Sequence, residues 1–179
     1  MKQLLHVGCG QSILRGKAEF NAEEYNETRL DIDSNVFPDI CCSMLDMSQV
    51  IPPDSYDLLY SSHNLEHLYP HEVVAALNQF IYVLKPEGKV IITCPDLMQV
   101  AQKIVSDGLL ATAYEVDSGP VAPIDMLYGY TNWLADSPYM AHKTGFTSES
   151  LKGYLELVGF RDITVVGDGV YTLWAYCKK

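Results

Sequence analysis

The sequence predicts a doubly wound α/β sheet, and three observations carry that prediction. Short apolar runs at residues 4–7, 28–33, 38–43, 56–61 and 89–94 are interleaved with stretches of helical periodicity. The first run ends at once in Gly8-Cys9-Gly10, a turn placed where open α/β sheets bind ligands. Two further strand-like runs, separated by Gly167-Asp168-Gly169, close the chain.

Taken in order, LLHV (4–7) is the first strand and TRLDID (28–33) the second, with a polar stretch of little periodicity between them. PDICCS and YDLLYS supply two more strands around the turn PPDS. Over residues 71–84, Val73, Val74, Leu77, Ile81 and Leu84 recur at three- and four-residue spacing, which makes one apolar helix face, and Pro70 suits its first turn. KPEG ends that helix and KVIITC (89–94) has the β-branched character of a buried parallel strand. Residues 97–105 are helical by spacing. Residues 107–146 carry Tyr114, Tyr128, Tyr130, Trp133 and Tyr139 among Pro120, Pro123 and Pro138 with weak periodicity, and are read as an insert in a single domain spanning 1–179. Thr147 then caps a helix whose face is Leu151, Tyr154, Leu155 and Val158, and Gly159 stands where a terminating glycine belongs.

Composition narrows the partners. A chain of 179 residues with 48% hydrophobic residues is sized for one core. Its net charge of −11, with no Lys or Arg run longer than a pair, is the wrong surface for nucleic-acid phosphates. No apolar run approaches the roughly 20 residues of a membrane span, and no secretion signal is read at the start. The five cysteines show no C-x-x-C spacing and fall mostly in apolar runs, as expected of reduced thiols in a soluble, cytoplasmic protein.

The glycine turn alone is explained equally by a tight turn. It gains meaning from Asp31, about 20 residues on at the end of the second strand, the separation at which a carboxylate meets ribose hydroxyls; Asp33 is the alternative acid. Ile13 occupies the third position of G-x-G-x-x-G, which disfavours a dinucleotide. Met44 and Leu45 offer apolar walls for a purine, with Asp46 to accept from its amine, although core packing explains the first two as well.

In this order, LLHVGCG, RLDID, SMLDM, YDLLYSSHNLEHL, VLKPEGKVIITCPD and HKTGFTSESLKGYLELVGF resemble the class I S-adenosylmethionine-dependent methyltransferases, and the small type 11 group in particular. The resemblance implies a Rossmann-like, mostly parallel sheet of about seven strands with an antiparallel C-terminal strand, in three α/β/α layers. It implies S-adenosyl-L-methionine as cofactor and S-adenosyl-L-homocysteine as product. By that resemblance Gly8, Cys9 and Gly10 lie against the methionine part, Asp31 holds the ribose, and Met44, Leu45 and Asp46 surround the adenine. His6, Ile32 and Asp33 flank these motifs and are counted with the cofactor positions. Ser61, Ser62 and His63 face the reacting methyl. Two departures stand out: the family usually has an acid at the place of His6, and Gly16 with its polar surroundings leaves room for only a turn or two after the glycine loop.

HNLEH, residues 63–67, also matches the H-x-x-E-H string of zinc peptidases. That chemistry needs both histidines on one face of a continuous helix and a third ligand from elsewhere, with Glu149 the distant candidate. Pro70 places the helix start after His67, so His63 and His67 are expected in a loop beside the cofactor and no metal is expected. His63, Asn64, His67 and His142 are then candidates on the acceptor side, where a histidine can take a proton from a hydroxyl or amine. The insert is the candidate lid over a small-molecule acceptor, or else a homodimer contact. A nicotinamide oxidoreductase and a non-catalytic binding protein share the strand-glycine-acid pattern and remain the rival readings.

Overall fold

The computed structural model describes residues 1–14 and 24–179. Gly16 and the polar stretch behind it, expected to shorten the first crossover, lie outside the described residues. The chain runs through β1 (Lys2–Val7), β2 (Tyr25–Asp31), β3 (Ile40–Cys41), β4 (Tyr56–Ser62), α1 (Pro70–Val83), β5 (Leu84–Pro95) and α2 (Leu97–Asp107). It continues through β6 (Tyr114–Val116), β7 (Gly119–Val121), α3 (Pro123–Tyr128), α4 (Thr131–Leu134), α5 (Ser148–Val158), β8 (Arg161–Gly167) and β9 (Thr172–Lys178).

Seven strands form one sheet in the order β3-β2-β1-β4-β5-β9-β8. The pairs among β1 to β5 are parallel, whereas β9 runs antiparallel to both β5 and β8. Direction along the sheet reverses between β1 and β4, since β2 lies to one side of β1 and β5 beyond β4. That switch point opens a crevice at the carboxyl ends of the strands. Among the described residues no helix is long and apolar enough to cross a membrane.

Alternation along the strands divides the core by face. Leu5, Val7, Leu59, Val90, Ile92, Leu173 and Ala175 point to the layer in which α1 contributes Val73, Leu77 and Phe80 and α5 contributes Leu151 and Leu155. Leu4, Leu58 and Tyr60 point the other way, with Leu14, Tyr25, Ile91 and Trp174 packed against them. The helix ends follow their expected chemistry. Pro70 opens α1 and Glu72 accepts the Tyr69 N–H at 2.8 Å, and Thr147 Oγ1 accepts from Ser150 N–H at the start of α5.

Several boundaries differ from the sequence reading. β5 begins at Leu84, directly after α1, so KPEG, expected to be the turn that stops the helix, lies inside the strand, and β2 begins at Tyr25, not residue 28. The second strand ends at Asp31, not residue 33, because Asp33 turns out of the ladder and accepts the Asn35 N–H at 2.9 Å to cap a 3-10 turn at Ser34–Val36. The third, expected over 38–43, pairs only at Leu30↔Ile40 and Asp31↔Cys41.

Candidate active site

β1 leaves the sheet through Gly8 and Gly10, whose φ values of 65° and 50° lie in the left-handed region that favours glycine. The Leu30 carbonyl accepts both the Gly8 and Cys9 N–H groups, which folds the turn against the end of β2. Asp31 completes it, with Oδ2 accepting from Gly10 N–H at 2.7 Å and Oδ1 from Asp33 N–H at 2.9 Å. Arg29 closes the loop from outside, donating to the carbonyls of Gly10 at 2.5 Å, Ser12 at 3.2 Å and Phe37 at 3.0 Å. Among the described residues, a Cβ at Gly10 would meet nothing within 4 Å, so on their side the turn borders open space. A Cβ at Gly8 would come within 2.1 Å of Asn64 Nδ2, which seats the β4–α1 loop directly on the turn.

That loop begins with His63, also in the left-handed region at φ 49°, and holds Leu65–His67 in a single 3-10 turn before α1 starts at Pro70. Ser61 is fully buried and its Oγ accepts from Asn64 Nδ2 at 3.3 Å, while Ser62 Oγ pairs with Thr93 Oγ1 at 2.8 Å. Glu66 is buried, with His63 Nδ1 at 3.3 Å from Oε1. Burial would lower the His63 pKa, but the Glu66 carboxylate and Asp168 outweigh it and raise it. Burial likewise acts to raise Glu66, and His63 and His67 pull it below the usual range, so the group stands as a carboxylate.

The insert folds over this loop. Lys143 and Thr144 donate their N–H groups to the Glu66 carbonyl at 2.8 and 3.2 Å, and Leu97 N–H donates to Phe146 O at 2.9 Å. His67 Nδ1 lies 3.2 Å from Ala141 O and His142 Nδ1 lies 2.9 Å from Met126 O; a carbonyl only accepts, so both rings carry their proton on Nδ1. Desolvation lowers the His142 pKa and keeps that ring neutral. His63, His67, Tyr114, Tyr130, Trp133 and His142 are among the walls of a cavity of about 200 Å³. Asp125 organises its roof, accepting Ala122 N–H at 2.9 Å, Thr131 N–H at 3.1 Å and the Thr131 hydroxyl at 2.7 Å.

A glycine turn at the switch point, an acid one strand over and an aromatic chamber beyond the fourth strand can be compared with known proteins. Residues 5–92 match a family model described as a methyltransferase domain, of type 11. The chain resembles the class I, type 11 methyltransferases. No curated protein sequence matches it. Its fold is that of a S-adenosylmethionine-dependent methyltransferase from Archaeoglobus fulgidus, with a TM-score of 0.63 at 16% identity, covering 99% of this chain and 86% of that one. A methyltransferase from Mesorhizobium loti gives 0.62 at 19% identity, covering 99% and 91%. The 1,6-didemethyltoxoflavin N1-methyltransferase of Burkholderia thailandensis, solved with its acceptor and S-adenosylhomocysteine, gives 0.58 at 16% identity, covering 99% and 71%.

Within this methyltransferase fold, Gly8, Cys9, Gly10 and Asp31 come together as one turn, and His63, His67 and His142 come together at the chamber, whereas Asn64 lies on the glycine turn and not among the chamber walls. Cys9 is buried in the turn, which pushes its thiol up to about 11. Ile32 is exposed beside Asp31, and Asp33 is engaged with Asn35. Met44 and Leu45 are half-buried against the main core, and Asp46 accepts from Gln49 Nε2 at 3.0 Å. Glu149 is exposed on the first turn of α5 and lines a surface groove with Lys152, so it does not join the histidines. The buried His6 departs from the family's acid, yet a carboxylate is present: Glu27 of β2 places Oε1 2.9 Å from His6 Nδ1 and accepts from Leu14 N–H. Glu27, Arg29 and Asp125 were not singled out in the sequence. Arg29 and Glu27 alternate with Asp31 at two-residue spacing along β2, which is the one pattern that points to them.

Proposed function

We propose that this protein is a S-adenosylmethionine-dependent methyltransferase acting on a small acceptor held between the β4–α1 loop and the 107–146 insert. The observation that carries the reading is the Gly8–Gly10 turn with Asp31 bonded beneath it at the β1/β4 switch point, bordering space that no described residue fills at Gly10. The residues fit the cofactor. Glycine at both positions lets the backbone approach the methionine part, and the two Asp31 oxygens retain lone pairs for ribose hydroxyls after accepting two N–H groups. Ile32, Met44, Leu45 and Asp46 would border the adenine, with Ser61, Ser62 and His6 behind the turn.

When bound, the cofactor would supply a sulfonium methyl carbon that an acceptor nucleophile attacks in line, with the neutral thioether sulfur as leaving group. The chain's task is positioning and exclusion of water. His63 and Asn64 sit between the glycine turn and the chamber, while His142 and the aromatic residues of the insert hold the acceptor. At about 200 Å³ the chamber lies below the roughly 300–1,000 Å³ of most ligand pockets, which favours a very small acceptor or one end of a larger one. The five unpaired cysteines accord with a reducing, cytosolic setting.

Calorimetry with S-adenosylhomocysteine tests this directly. We expect binding at one equivalent per chain and none for NADH. Binding of NADH in its place would install the oxidoreductase reading, and binding of neither would leave a non-catalytic fold.

A further inference from the structure

We propose that Glu66, His67 and His142 form a binding site for a divalent transition-metal ion, with an open coordination position facing the acceptor chamber. One donor atom from each of the three side chains lies within 4.8 Å of the other two. Glu66 is 1% exposed, and neither of its carboxylate oxygens has a hydrogen-bond partner among the described residues. Such a group is normally paired or bound to a metal. His63 Nδ1 approaches Oε1 at 3.3 Å without an aligned hydrogen bond, and its side chain is half exposed; the contact leaves Oε2 with nothing.

The histidines are arranged to complement that carboxylate. Both Nδ1 atoms are committed to backbone carbonyls, His67 to Ala141 and His142 to Met126, which leaves a lone pair on each Nε2. A carbonyl on the far nitrogen is the usual outer partner of a metal-bound imidazole, because it fixes the tautomer and the ring plane. The rings stand edge to face with centroids 5.0 Å apart. Two imidazoles and one carboxylate are a donor set for zinc or a neighbouring first-row ion, and three protein ligands leave a fourth position free. Tetrahedral donors about 2.1 Å from an ion stand roughly 3.4 Å apart, a separation that lies inside the 4.8 Å within which the three donor atoms already stand. The anchoring of the insert to the Glu66 carbonyl by Lys143 and Thr144 already holds both halves of the site in place.

This differs from the peptidase arrangement of the same string. There both histidines would rise from one helix, whereas here Glu66 and His67 share a 3-10 turn and the third ligand comes from residue 142, not from Glu149. The expectation of no metal rested on that helix being absent, and a different trio supplies the donors. Resting on the methyl-transfer reading, the open position also points to the acceptor class: a small molecule with an ionisable oxygen. Coordination would lower the pKa of that hydroxyl. Its proton passes to solvent, the oxygen forms the new bond to the methyl carbon, and the carbon–sulfur bond breaks with its electron pair on sulfur.

The test titrates chelator-treated full-length protein with Zn²⁺ by calorimetry and with Co²⁺ by visible absorption, and measures S-adenosylhomocysteine affinity on the same samples. We expect one ion per chain and a Co²⁺ spectrum of low coordination number. In Glu66→Gln and His142→Ala the affinity should fall by more than the roughly 10- to 100-fold that loss of an outer partner costs. His71→Ala, at an exposed position in the first turn of α1, and Glu149→Gln should bind as the parent does. If buried Glu66→Gln does not fold, His142→Ala, on the insert, still decides. No stoichiometric ion, or binding that persists in both ligand variants, overturns the site whatever the S-adenosylhomocysteine result. Ion binding without S-adenosylhomocysteine binding keeps the site and removes the methyl-transfer reading instead.

Discussion

The Gly10 N–H donates to Asp31 Oδ2 at 2.7 Å, so the carboxylate that would hold the ribose also holds the turn that would hold the methionine part. Asp31→Ala therefore removes a ligand contact and loosens the loop together. A hydrogen bond to a charged group is worth roughly 1.5–3 kcal/mol, about 10- to 150-fold in affinity, and S-adenosylhomocysteine binding should weaken by at least that much. Asp33→Ala removes only the cap of an exposed 3-10 turn and should be the milder change. Calorimetry that finds Asp31→Ala binding like the parent would sink the assignment.

The glycines fail in different ways when substituted. A side chain at Gly8 collides with Asn64 as well as adopting an unfavourable φ, whereas one at Gly10 meets no described residue and carries the φ penalty. The left-handed conformation costs a non-glycine residue roughly 1–2 kcal/mol. Gly10→Val should leave a folded protein with a modestly lower melting temperature and no cofactor binding, since its side chain fills the ligand's place. Gly8→Ala should lose more stability, and Asn64→Ala in that background should restore the steric part alone. A double-mutant cycle with no coupling between Gly8 and Asn64 would contradict the contact.

Asp125 gives the insert a signature in pH. Burial would raise its pKa, but Ala122 N–H, the Thr131 hydroxyl and Thr131 N–H bind the charged form and bring it below the ordinary carboxylate value. A folded-state pKa below the unfolded one stabilises the fold fully above the unfolded value of about 4, and that increment is lost as pH falls through the folded value. Asp125→Asn should be less stable than the parent at pH near 7, and the gap should close on acidification. Urea midpoints measured across that range check it, and a gap independent of pH would show that the three bonds do not depend on the charge.

How far the sequence discloses these features depends on how local their causes are. The seven strands and the helices α1, α2 and α5 are readable because each is fixed by its own pattern: apolar runs for strands buried on two faces, three- and four-residue spacing for helices, Pro70 and Thr147 at their starts. The glycine turn and Asp31 are readable for the same reason. The insert is not. Its hairpin β6–β7 and short helices are held by Asp125 reaching Thr131 and by packing of Val121 and Met126 on Val100 of α2, contacts that leave no period in the sequence. Arg29 is hidden because its partners, the carbonyls of Gly10, Ser12 and Phe37, offer no side chain to notice. The meeting of Glu66 with His142 depends on a return of the chain over more than seventy residues. No spacing rule within HNLEH could supply it.

His63 and His142 separate the two halves of the proposed reaction. Both line the chamber, and the bonds that shape the cofactor turn come instead from Leu30, Asp31 and Arg29. Replacing His142 by Ala removes a wall of the acceptor site and leaves those bonds untouched. Turnover, or acceptor affinity once an acceptor is in hand, should therefore fall by at least tenfold, while S-adenosylhomocysteine affinity stays within about threefold of the parent. His63→Ala should follow the same pattern with a larger loss of stability, because it also removes the imidazole 3.3 Å from the buried Glu66 carboxylate. Methyl transfer followed with labelled cofactor, beside calorimetry on the same preparations, distinguishes the two effects. If S-adenosylhomocysteine affinity collapsed in His142→Ala while turnover tracked it, the insert would be part of the cofactor site and the chamber would not be the acceptor's.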